Sequence, residues 1–178
     1  MGRFTNPRDL YFGEGARHEV KNLKGKKAII VSGGSSMRRG GFLQDVEADL
    51  KEGGFEVKLF EGVESDPSIE TVMKGAEAMR EFEPDWIIAI GGGSPIDAAK
   101  VAAARIVRPD KTVAQLGGLL KVRRPLPLFI AVPTTAGTGS EATIAAVVTG
   151  EEHRKYAVSD LCLIPRYAVL DPTLTLSL

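Results

Sequence analysis

Residues 86–104 read WIIAIGGGSPIDAAKVAAA. Five apolar residues without polar alternation run into three glycines and then into an alanine-rich stretch. A strand that is apolar at every position has to be covered on both faces, which is routine in a parallel sheet wrapped by helices. The signature recurs in KKAIIVSGG (26–34) and LPLFIAVP (126–133), each a branched, apolar run ending in glycine or proline. FEVKLFEGV (55–63) alternates like a half-buried strand, and TIAAVVTG (143–150) and RYAVLD (166–171) read as later strands. Helical periodicity fills the gaps. Leu43, Val46 and Leu50 form one stripe that stops at Gly53 and Gly54. Ile69, Val72, Met73, Ala76 and Met79 share a second face, with Asp66 as N-cap and Pro67 as first residue. PIDAAKVAAARIV (95–107) is a third helix, slim enough to pack closely. The expected fold is one α/β domain over 1–178, a doubly wound, mostly parallel sheet with helices on both faces.

Charge and cysteine usage narrow the function classes. Lysine plus arginine is 23 and aspartate plus glutamate is 23. A formal charge of zero gives no global pull toward nucleic acid or a membrane surface. No apolar stretch approaches the ~18 residues of a membrane span, and MGRFTNPRDLYFGEG lacks the apolar region of a signal peptide. Six basic residues (Arg105, Arg108, Lys111, Lys121, Arg123, Arg124) crowd 101–125 with Asp110 the one acid. They read as a solvated helix end and loop, because a nucleic-acid patch would interleave aromatics. Cys162 is the only cysteine, which excludes an internal disulfide and fits a reducing cytoplasm, the expected location. Its apolar neighbours make it a core residue rather than a nucleophile.

Ligands of doubly wound sheets bind beyond the carboxyl ends of the strands. Three polar clusters fall there. In GGGSPID, Ser94, Pro95 and Asp97 read as N-cap, first residue and capping-box acid of the helix. Gly91, Gly92 and Gly93 are left to explain, either as a tight turn or as a floor that lets a phosphate reach main-chain N–H groups. PTTAGTGSEAT (133–143) offers Thr134, Thr135, Thr138, Ser140 and Thr143, suited to a pyrophosphate, ribose or carboxamide, or to a self-capped surface turn. SGGSSMRRGG (32–41) has no acid to grip a ribose 2′-hydroxyl, and it has arginines that pair with a 2′-phosphate. A flexible loop with solvated arginines is the alternative.

Together these stretches resemble the N-terminal, nucleotide-binding half of the iron-containing (group III) alcohol dehydrogenases, within the Rossmann-like dehydroquinate synthase and glycerol dehydrogenase superfamily. FGEG (12–15), EGVESDPSIET, IGGGSPIDAAK, PTTAGTGSEAT and AVLDPTLT (168–175) carry the resemblance along nearly the whole chain. It implies that Gly92, Gly93 and Ser94 hold the pyrophosphate of NADP or NAD, and that Thr134, Thr135 and Thr138 lie on the nicotinamide-ribose side. Asp66 stands where many members carry an asparagine beside the adenosine. Gly33 stands where members preferring NAD carry an aspartate, so NADP(H) is the expected preference. The binding set so expected is Gly33, Gly34, Ser35, Ser36, Arg38, Arg39, Asp66, Gly91, Gly92, Gly93, Ser94, Asp97, Thr134, Thr135, Thr138 and Ser140.

The resemblance also implies a divalent iron or zinc held by one aspartate and typically three histidines. Those ligands follow the LDPxLT motif on a C-terminal helical domain, which is expected to be absent from this chain. His18 and His153 are the only histidines, and neither has a partner at i+3 or i+4 to make a helical ligand pair. No catalytic residue is therefore assigned, and Glu141 and Asp97, the acids nearest the clusters, have capping or solvation roles. The chain alone is expected to bind nucleotide with little or no dehydrogenase activity. A stand-alone nucleotide-binding module, a fragment or chimera, or half of a relative acting on glycerol, maleylacetate or a sugar phosphate stay open. An apolar patch of Leu161, Leu163, Ile164, Leu174, Leu176 and Leu178 is expected to drive self-association or to meet a metal-bearing partner domain.

Overall fold

A computed structural model describes residues 5–34 and 36–176, with only the backbone described for Ser36 and Met37. In chain order the elements are β1 (Asp9–Phe12), β2 (Lys27–Ser32), α1 (Ser36–Arg39), α2 (Phe42–Glu52), β3 (Glu56–Phe60), α3 (Ile69–Phe82), β4 (Trp86–Gly91) and α4 (Gly93–Val107). There follow α5 (Val113–Leu116), β5 (Gly118–Leu119), β6 (Leu128–Pro133), β7 (Ala145–Thr149), β8 (Lys155–Ser159) and β9 (Tyr167–Leu170), with short 3-10 turns between them.

Six strands form one wholly parallel sheet in the order β1-β9-β6-β4-β2-β3. Its central strands are apolar throughout because both faces are covered. Ile29, Val31, Ile87, Ala89, Phe129 and Ala131 point to the side of α3 and α4. Ala28, Ile30, Ile88, Ile90, Ile130 and Val132 point to the side of α2. The doubly wound α/β expectation holds. From β2 the chain passes through α2 to β3, then returns to the other side of β2 to lay down β4, and leaves β4 through α4. The helices after β2 and β4 thus take opposite faces, and a crevice opens between the carboxyl ends of these two strands, the switch point of such a sheet.

Segment 143–150 departs from that pattern. β7 pairs antiparallel with β8 in a separate three-stranded sheet, β5-β8-β7, laid against α4. Its burial explains why: Ala146 and Val148 are buried while Val147 between them is exposed. A strand with one covered face belongs to a surface hairpin, whereas β4 and β6 need two.

Other expectations also need correcting. Asp66 does not cap α3. Ser68 does, its hydroxyl accepting from Thr71 N at 3.1 Å, while Asp66 lies at φ 55° with its carboxylate paired to Lys155. The basic residues of 101–125 are not merely solvated. Arg105 donates to Arg108 O (2.6 Å), Arg108 to Val122 O (2.9 Å) and Arg124 to Val107 O (2.9 Å), supplying donors that an irregular connection lacks. The expected apolar patch is not continuous: Leu163 and Leu174 are buried in cores on opposite faces of the sheet, while Leu161 and Leu176 are exposed. Leu178 lies outside the described residues. The FGEG and LDPTLT stretches form one joint, in which Gly13 N donates to Leu170 O (3.1 Å) and Arg17 to the buried Asp171 (2.9 Å).

Candidate functional site

The glycine turn is shaped by packing. β4 ends on Gly91 at φ 145°, a conformation side chains rarely adopt, and a Cβ there would sit 2.5 Å from Pro95 Cγ. The strand therefore turns at once, and Gly92 alone separates it from α4, whose first residue is Gly93. This overturns the expected capping box. Gly92 is the N-cap and has no side chain to bond the first N–H groups, so Ser94 is the second helical residue and Pro95 the third, still within the turn where proline is tolerated. A Cβ on Gly92 would lie 3.3 Å from Thr135 Oγ1, and one on Gly93 3.2 Å from Ser140 Oγ and Thr138 Cγ2. The three glycines let Pro95 and the threonine loop close onto the helix start. The uncapped N–H groups and the positive end of α4 remain for an anion.

Above this turn lies a crevice of about 300 Å³. Gly33 and Gly34 wall it after β2, Val63 and Ser65 after β3, Gly91, Gly92, Gly93 and Ser94 floor it, and Thr134 and Thr135 close it after β6. A second hollow of about 340 Å³ adjoins it through Thr135 and continues past Gly137 and Glu141 toward Asp171. Together they run along the carboxyl edge of β2, β4, β6 and β9. A hollow of about 320 Å³ at the opposite end is lined by Tyr11, Trp86 and Tyr167, and the Trp86 indole N–H already donates to Lys24 O at 3.0 Å. The chemistry-bearing residues are at the carboxyl end.

The expected residues fall into three groups. Gly33, Gly34, Gly91, Gly92, Gly93, Ser94, Thr134 and Thr135 meet in the crevice. Thr138 and Ser140 pack behind it against Gly93, with Ser140 buried. Arg38 and Asp66 stand outside it: the Arg38 guanidinium grips Glu61, just past the end of β3 (Nε to Oε1 3.0 Å), and Asp66 meets Lys155. Arg39 ends α1. Ser35 lies outside the described residues, and only the backbone of Ser36, in α1, is described.

Asp97 has a different task from the one expected. Its Oδ2 accepts from Val147 N at 3.0 Å, tying α4 to β7, and burial raises its carboxyl above the ordinary range. Three residues on, Lys100 is buried completely. Sequence reading missed Lys100, Glu61 and Lys155. A lone charge among alanines was the available signal for Lys100. Glu61 and Lys155 gave none, since their partners are distant in sequence.

The cysteine and the two histidines are each engaged or placed away from the crevice. Burial pushes the Cys162 thiol up to about 12, with Asp160 adding to the effect. His18 pairs with Asp49, and His153 is exposed. Among the described residues no group of three His, Cys, Asp or Glu could hold a metal ion, so these residues do not fit an iron or zinc site. Among them too, no helix is long and apolar enough to cross a membrane.

A glycine-floored crevice at the switch point of a parallel sheet defines a Rossmann-like α/β domain, and its solved neighbours are of that kind. The closeness is high: the alcohol dehydrogenase from Oenococcus oeni superposes with a TM-score of 0.93 at 34% identity, over 100% of this chain and 48% of its own. The chain belongs to the iron-containing alcohol dehydrogenase family, whose model matches residues 7–172. It is 52% identical to an NADPH-dependent butanol dehydrogenase of Clostridium saccharobutylicum, over 98% of this chain and 46% of that protein. It is 36% identical to NADH-dependent butanol dehydrogenase A of Clostridium acetobutylicum, over 97% and 45%. The chain thus spans about half the length of the curated relatives it matches.

Proposed function

We propose that this chain is the coenzyme-binding half of an iron-type alcohol dehydrogenase and takes NADP(H) in preference to NAD(H). One observation carries the reading: the uncapped first turn of α4 and the hydroxyl loop from β6 meet in one crevice, at the switch point. The N–H groups of Gly93 and Ser94 would receive the diphosphate, where the helix dipole favours negative charge. Thr134 and Thr135 would direct the dinucleotide toward the adjoining hollow, with Thr138 and Ser140 supporting them from behind. The nicotinamide of such a coenzyme supplies the hydride acceptor or donor.

Two observations favour NADP(H). The residue after β2 is Gly33, so no carboxylate stands at that strand end to repel a 2′-phosphate, and the Arg38 guanidinium, paired with Glu61, would exchange that partner for one. The 52% identical relative is named for NADPH dependence. The metal and the alcohol belong to a further domain, whose partner surface would be the carboxyl edge, where the second hollow lies. On its own the chain binds coenzyme without turning over alcohol. Calorimetric titration with NADPH, NADH and ADP-ribose tests the reading. NADPH binding more tightly than NADH, with ADP-ribose retaining part of the affinity, is expected. No binding of any of the three sinks it.

A further inference from the structure

Lys100 is the least expected buried residue of α4. Its side chain is 0% exposed, and its ammonium donates to Ser140 O (2.7 Å), Thr143 O (2.8 Å) and Ala145 O (3.2 Å). An ammonium has three N–H donors, and each has a carbonyl. One turn earlier Asp97 accepts from Val147 N (3.0 Å). Two side chains on one turn of α4 therefore hold main-chain groups at 140, 143, 145 and 147. Ser140 and Thr143 close the threonine stretch, in a loop outside any helix or strand, and Ala145 and Val147 open β7, so the two side chains tie the end of that loop and the start of the strand to α4. The acids facing Lys100 are Asp97, on its own helix, and Glu141, on the loop. Burying a charge for fold stability alone is inefficient, because an apolar side chain of similar volume does as well or better. An ion held this way fixes a geometry.

The geometry in question is that of the crevice. The N-terminal turn of α4 is its floor, and the loop docked by Lys100 packs on that turn, with Ser140 Oγ and Thr138 Cγ2 at 3.2 Å from where a Gly93 Cβ would be. We propose that Lys100, with Asp97, is a positioning residue that fixes segment 138–147 against α4, and so sets the distance between the diphosphate turn and the hydroxyl wall. The proposal rests on the coenzyme reading above. Lys100 touches no ligand; it acts through the loop. Losing it therefore affects ligands that span turn and wall, and spares ligands that use the turn alone.

Lys100→Met keeps the length and removes the donors. Two readouts are taken on the whole chain: calorimetric affinity for NADPH and for ADP, and amide hydrogen exchange without ligand. Loss of three charge-assisted bonds predicts NADPH binding weakened about tenfold or more, with ADP within about twofold. Exchange should accelerate in 138–147 while β2 and β4 keep their protection. Equal losses for both ligands, or unchanged exchange in 138–147, overturns the proposal. If Lys100→Met does not fold, Asp97→Ala removes the outer anchor and should show the same split at smaller amplitude; a uniform effect there overturns it equally. Wild-type chain that binds neither ligand defeats the coenzyme reading, and the exchange readout still decides whether Lys100 docks the loop.

Discussion

Two glycine-rich stretches follow strands in this chain, and they are physically unlike. In the turn 91–93 every glycine is crowded, with the nearest atoms to an added Cβ at 2.5, 3.3 and 3.2 Å. In the stretch after β2, Gly33, still against the turn, would meet Pro95 Cγ at 3.3 Å, but Gly34 and Gly41 further on would meet nothing within 4 Å. The first is held by Pro95, Thr135, Thr138 and Ser140, which makes it a rigid floor. The second carries Arg38, whose guanidinium is held by an exposed ion pair with Glu61, which makes it the more adaptable rim. Affinity for the diphosphate common to both coenzymes belongs with the floor, and discrimination between them belongs with the rim.

The sharpest way to break that contrast is Gly91→Ala. The new methyl would meet Pro95 Cγ at 2.5 Å, and φ 145° strains any side chain. Pro95 belongs to a rigid ring in a helix and cannot move aside cheaply. A loss of roughly 3 kcal/mol in chemical denaturation is expected, with coenzyme binding abolished in the folded fraction. A variant as stable as wild type would show that the floor is not packed as described.

A second test of the rigid region uses pH. Burial lowers Lys100 from its ordinary 10.5 to about 8, against the opposing pull of Asp97 and Glu141. Because the folded state releases this proton first, the unfolded chain binds more protons between those values. Stability should therefore rise as pH climbs from about 8 to about 10.5, by at most about 3 kcal/mol, and the cost of the buried ion is in full force below pH 8. The difference in unfolding free energy between wild type and Lys100→Met, followed across that window, isolates the contribution. A flat difference would mean that the lysine stays charged throughout.

These regions also differ in how legible they were. The central strands could be read because Ile29, Ile88 and Ile130 sit in runs with no polar member, a pattern only two-sided burial demands. β8, KYAVS, was missed, since only Val158 in it is buried. β1 was missed because two of its four residues are exposed. The start of α4 was placed two residues late, because Ser94-Pro95-Ile96-Asp97 satisfies capping statistics while the turn at Gly91 forces the helix to begin sooner. Crevice residues were legible after β2, β4 and β6, but Val63 and Ser65, after β3, were not. Lys100 was not, because its three acceptors lie 40 to 45 residues away and no local pattern reports them.

On the rim, Glu61→Gln should sharpen the contrast with a moderate effect. Glu61 holds the Arg38 guanidinium and raises its pKa. Neutralising that partner leaves Arg38 to find another anion. The ratio of NADPH to NADH affinity should increase about two- to tenfold at low salt and shrink as ionic strength rises, since the group is exposed. Stability should barely move, because exposed ion pairs contribute little. If the ratio stays constant, Arg38 does not reach the 2′-phosphate and discrimination lies elsewhere.

Gly34→Ala is the smallest expected effect and the most direct check on the rim. Gly34 lines the crevice, its φ lies outside the left-handed region, and a Cβ there would meet open space. An added methyl reduces the freedom of the unfolded chain and clashes with nothing, so stability should stay within about 0.5 kcal/mol of wild type or gain slightly. Because the methyl would stand at the mouth near the end of β2, any loss of affinity should fall on NADPH and NADH alike by less than about threefold if the rim yields as an exposed loop can. A loss as large as that of Gly91→Ala would place Gly34 in tight contact with the bound dinucleotide, and the rim would then be as rigid as the floor.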